Sequence, residues 1–64
     1  MKSIIDHLKG FEKEETEGIM DYQCAIDCCK KAGDTVTRQV LSDILLDEQK
    51  HLKMLRKRLE ELKS

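Results

Sequence analysis

Apolar side chains return every three or four residues along most of this chain. Ile4, Leu8, Phe11, Ile19, Tyr22, Ile26 and Cys29 form one series, and Leu41, Ile44, Leu52, Leu55, Leu59 and Leu62 form a second. At about 100° per residue each series falls within roughly 40° of one line, the signature of a helix with a single buried stripe. Between them lies "KKAGDT", residues 30–35. Lysines in a last turn, a glycine able to take the left-handed conformation, and Asp34 or Thr35 to cap the next helix make this a stop and a restart. Ser3 followed three residues later by Asp6 resembles a capping box with Asp in place of Glu. The pattern predicts an all-α fold, an antiparallel two-helix hairpin forming one domain over 1–64. Helix one covers about 3–32 and helix two about 35–63, with Lys63 where the helix dipole favours a cation. Gly10 marks a candidate break in helix one, since glycine inside a helix costs about 1 kcal/mol relative to alanine. Gly18, one turn after Glu15, either admits a neighbouring helix or small molecule or is simply tolerated.

Two acids interrupt the stripes. Glu15 sits at the centre of the first and Glu48 on the line of the second, with His51 about 60° to one side. A carboxylate buried without a partner is prohibitively costly, so something must compensate for each. Counted from the turn, Glu15 on one helix and Glu48 with His51 on the other reach similar heights at 1.5 Å per residue. Glu and His three apart share a helix face, which suits joint coordination of one metal ion. One hairpin supplies too few ligands for a filled iron or manganese site. Two copies about a two-fold axis supply four glutamates and two histidines, the ligand set of carboxylate-bridged di-iron four-helix bundles.

Several neighbours have two readings. Asp47, four residues before His51, either accepts a hydrogen bond from its second ring nitrogen, within the chain or across a dimer, or is a plain surface acid. Tyr22 is a core tyrosine whose hydroxyl needs a partner, for which a bridging glutamate would serve, or a redox residue. Glu12, about 60° from Glu15, is the rival or auxiliary ligand, while Glu14 and Glu17 point further out as solvated acids or guides for cations. His7 is read as a surface residue. Cys24 and Cys28 face away from the stripe, where they could bind a soft metal but lack a further ligand; Met20, Leu46 and Cys24 suggest an apolar back surface for assembly beyond a dimer.

Composition narrows the function. Charged residues make up 39% of the chain, yet the net charge is -1, without the basic excess that nucleic acid demands. No apolar run approaches the roughly 18 residues of a membrane span, and the start "MKSIIDHLKG" is too short in apolar residues for a signal peptide. Cys24, Cys28 and Cys29 give neither an even disulfide framework nor a C-x-x-C pair, so reduced thiols and a cytoplasmic location are expected. A chain of 64 residues buries only about 60% of its unfolded surface, which makes self-association the expected source of a core.

The stretches "EETEGIMDY" at 14–22 and "DEQKH" at 47–51 resemble the ferritin-like superfamily, closest to the compact single-hairpin encapsulated ferritins and more distantly to rubrerythrin and bacterioferritin. The likeness runs from about Glu14 to Leu59. It implies that Glu15, Glu48 and His51 are ligands, with Tyr22 nearby and Asp47 supporting the histidine. It also implies iron(II) oxidation by dioxygen or peroxide at a site completed between two subunits, in a ring or similar oligomer. The chain lacks the rubredoxin-like cysteine site of rubrerythrins, and nothing after Leu62 resembles a tail addressed to an encapsulin shell. The expected function is that of a ferroxidase or related iron and oxygen handler, with two irons per dimer and manganese or zinc as possible substitutes. The alternatives are a structural or partner-binding hairpin, whose polar stripe residues fix register, and rubrerythrin-like peroxide reduction, which needs a reductant partner. No shell or redox partner is identifiable from the sequence.

Overall fold

The computed structural model describes residues 1–63. It consists of two helices, α1 (Ile4–Ala32) and α2 (Thr35–Lys63), folded back on each other. Local chemistry sets the start of α1 and both sides of the turn. The Ser3 hydroxyl accepts from the Asp6 backbone N–H at 3.1 Å, and the Asp6 carboxylate accepts from the Ser3 N–H at 3.3 Å. Both orphan donors at the start of α1 are thereby satisfied. These bonds, the one to the Ser3 backbone foremost, hold the Asp6 carboxyl below the ordinary carboxylate value.

At the far end Gly33 takes φ 71° and ψ 21°, the left-handed conformation that a side chain penalises. Its N–H reaches the Lys30 carbonyl at 3.3 Å, and that of Asp34 reaches the Cys29 carbonyl at 3.0 Å, closing a Schellman motif. Asp34 then caps α2 by accepting from the Thr37 N–H at 2.9 Å, and Thr37 in turn lowers the Asp34 carboxyl. The chain thus reverses in two residues.

No break occurs at Gly10, where α1 continues uninterrupted. A Cβ at Gly10 or Gly18 would meet nothing within 4 Å, so neither glycine admits a close neighbour inside this hairpin.

The packed seam is thin. Ile19, Ile26, Leu52 and Leu59 are its buried members, 9%, 9%, 9% and 4% exposed. Ile4 and Phe11, counted in the same stripe, remain 72% and 50% exposed. The molecule measures 46 × 19 × 12 Å, so it is a layer one helix thick, and one neighbour covers only part of each stripe. Phe11, Val40 and Met54 lie on the broad face that also carries His51, where large apolar side chains stand open to solvent. The opposite broad face is tied by Arg56, whose Nε donates to Oε2 of Glu12 across the two helices at 3.1 Å. Among the described residues no helix is long and apolar enough to cross a membrane.

Candidate metal centre

Glu15 comes from the middle of α1, and Glu48 and His51 come from successive turns of α2 at the same height. The structure brings these three together: each offers a ligand atom, and the three atoms lie within 4.8 Å of one another. Nδ1 of His51 stands 3.9 Å from Oε1 of Glu15 and 4.0 Å from Oε1 of Glu48. Those separations are too long for hydrogen bonds. They suit a common ion, because ligands about 2.1 Å from a metal lie up to about 4.2 Å apart.

The carboxyls are half-buried, with side-chain exposures of 24% for Glu15 and 25% for Glu48. Oε2 of Glu15 is fully covered and has no hydrogen-bond partner; among the described residues it is the one such side-chain atom. Buried acceptors are ordinarily satisfied, so an orphan oxygen on a carboxyl that belongs to a cluster of ligand groups calls for a proton or a cation. The Glu15 carboxyl responds in that way. The neighbouring Glu48 carboxyl, with which only a protonated Glu15 could hydrogen-bond, burial, and the Glu48 charge raise it above its ordinary value of 4.5, while His51 pulls the other way and Glu14 adds a small push upward. Burial and a neighbouring like charge both disfavour the ionised form of a carboxyl.

The remaining candidates are placed differently. Glu12 is turned to Arg56 and occupied by it. Glu14 is exposed and lines a groove of about 290 Å³ with Phe11, Glu15, His51, Met54 and Leu55. Glu17 is exposed and stands apart from this cluster. Asp47 is exposed and makes no hydrogen bond to His51 within the chain, whose Nδ1 faces the two carboxyls instead. Tyr22 is half-buried, two turns from Glu15, with no hydrogen bond to either carboxyl in the hairpin. His7, Cys24 and Cys28 are exposed, and all three cysteines are free thiols.

Periodicity alone does not single out Arg56 or Met54. Arg56 follows Leu52 by one turn on the flank facing α1, a spacing that could have marked it as a reach across to Glu12. Met54 carries no such signal, because an exposed methionine on a helix is ordinary.

An all-helical hairpin with a Glu–Glu–His group on one open face is the class that fold and site define. Compared with known families, the chain matches the Ferritin-like domain over residues 1–64. It belongs to that family, whose association with metals agrees with a cluster able to hold one. Neither the comparison with curated proteins nor that with solved structures gave a significant match.

Proposed function

We propose that two copies of this chain join through the face bearing His51 and there bind and oxidise iron(II). The observation that carries this reading is the covered, unpartnered Oε2 of Glu15 beside Glu48 and His51. A purely structural hairpin has no use for it, since register control needs neither a matched second carboxyl nor an orphan acceptor. Pairing two such faces would bury Phe11, Val40 and Met54 and unite four glutamates with two histidines.

Bound there, iron supplies one-electron chemistry toward dioxygen or peroxide. The chain's own part is electrostatic. Glu15 and Glu48 of both copies concentrate negative charge, which favours iron(III) over iron(II) and so drives the oxidation. The raised Glu15 carboxyl favours its protonated form more than a free carboxyl does, so cations and protons compete for it. His51 offers Nδ1 as the nitrogen ligand. Asp47, one turn earlier and exposed, is the acceptor we assign to the second ring nitrogen across the interface. Tyr22 is assigned a hydroxyl contact to a glutamate carboxyl once the second copy covers it.

The test is anaerobic titration with iron(II), read together with the mass of the assembly. Two irons per dimer, followed on admission of oxygen by the absorbance of iron(III), is the expected result. A chain that dimerises without taking up iron sinks the proposal.

A further inference from the structure

The outer edge of α1, turned away from α2, takes no part in the metal centre. Cys24 and Cys28 stand there, both exposed and both free thiols. They are four residues apart and lie roughly 140° to 180° around the helix from Ile19 and Ile26, which mark the seam. Packing does not account for them, because free cysteine is among the residue types most often found inside a core. Neither thiol makes a hydrogen bond among the described residues.

Spacing decides what the pair can hold. Side chains four apart on a helix have Cβ atoms about 5–6 Å apart, whereas a disulfide needs about 3.5–4.5 Å. Because α1 runs unbroken from Ile4 to Ala32, closing such a bridge would bend a continuous helix. An ion between the sulfurs removes the conflict. Taking about 2.3 Å for a metal–thiolate bond, two sulfurs on opposite sides of one ion stand about 4.6 Å apart, within reach of side-chain torsions alone.

Ligand number decides which ion. Among the described residues no carboxylate or imidazole joins the two thiols in a group of three, the one such group being Glu15, Glu48 and His51. Zinc in a structural site takes four ligands, and hard ions take oxygens. Copper(I) is soft, selects thiolate and is satisfied by two.

We propose that Cys24 and Cys28 of one chain hold a single copper(I) ion between their sulfurs. Each thiol gives up its proton as its sulfur bonds the ion, so two protons leave and no electron moves. The thiol pair is soft, whereas the Glu15, Glu48 and His51 group offers two oxygens and a nitrogen, so the two places sort metal ions by softness. Copper(I) binding needs neither iron nor a second copy.

Anaerobic titration with copper(I), kept reduced by ascorbate and set against a chromophoric copper(I) chelator, tests it in wild type, Cys24→Ser, Cys28→Ser and Cys29→Ser. Every variant keeps two thiols, so only their spacing differs. Wild type is expected to take one copper(I) per chain with unchanged helical circular dichroism, and X-ray absorption should report two sulfur neighbours. Cys29→Ser should bind as wild type does. Cys24→Ser leaves Cys28 and Cys29, about 100° apart, and Cys28→Ser leaves Cys24 and Cys29, about 140° apart. Both should lose more affinity than the roughly 100-fold that loss of a supporting outer contact can cost. No uptake by wild type, one copper per two chains, or equal affinity in the three variants overturns the proposal. Iron(II) titration of the same samples reads the other site, so a chain that takes copper(I) and no iron supports this proposal and sinks only the iron reading.

Discussion

Nδ1 of His51 faces Oε1 of Glu15, on the other helix, across 3.9 Å. No hydrogen bond spans that gap, and Glu48 completes a triangle of ligand atoms around it. The arrangement is that of groups held apart around a common guest.

Replacing Glu48 with Ala removes one corner of the triangle. Iron affinity should fall by more than the roughly 10- to 100-fold that loss of a supporting outer contact costs. Helix content by circular dichroism should stay close to wild type, since Glu48 contributes nothing to the buried seam. Isothermal titration under nitrogen reads the affinity, and an unchanged value excludes Glu48 as a ligand.

Glu12 provides the opposite control. Its carboxylate is held by Arg56 at 3.1 Å on the opposite broad face, so Glu12→Gln should leave the iron stoichiometry unaltered. The partly exposed ion pair itself contributes no more than about 1 kcal/mol. A halved iron count in this variant would return Glu12 to the ligand set.

Acidity acts on the metal-free chain in two opposite ways. The Glu15 carboxyl is raised in the fold, so its contribution to stability is fully present below about pH 4.5 and is lost as pH rises through the raised value. Asp6 and Asp34 are lowered, so their contributions are present above the unfolded value near 3.8 and disappear as pH falls through the lowered ones. Thermal melts in chelator should therefore show greatest stability on the mildly acidic side. Glu15→Gln should raise the melting temperature at pH 7 and flatten the decline in stability above about pH 4.5, at the expense of iron binding. A melting temperature at pH 7 lower than wild type would contradict the reading that the ionised Glu15 carboxyl is disfavoured in the fold.

Gly33→Ala tests the turn. At φ 71° a Cβ costs about 1–2 kcal/mol, although the space around it is open. Chemical denaturation should show that loss with iron stoichiometry preserved.

Local signals are legible in the sequence because local chemistry makes them. Ser3 with Asp6 and Gly33 with Asp34 each complete their bonds within a few residues, so the helix ends follow from spacing alone. The height match of Glu15 with Glu48 and His51 is legible too, because a two-residue reversal fixes the register of two straight helices. The depth of burial is not. Periodicity ranks Phe11 and Ile19 together, yet one is half exposed and the other buried, because a stripe records which side a residue faces and a single opposing helix covers only its centre. The Glu12–Arg56 bond is equally hidden: both residues sit on flanks, and which flank charge reaches across depends on the rotation of each helix. Spacing allows Asp47 to support His51 inside the chain, but the ring turns Nδ1 toward the carboxyls, and no hydrogen bond to Asp47 forms in the hairpin.

A body 12 Å deep has two sides and no inside. Under the proposed pairing, such a chain encloses its metal only with another copy, and its native population would follow a law of mass action. Scarce chains would then be open to proteases and abundant ones sheltered, which would make the dose in which the molecule is produced a determinant of whether it exists at all.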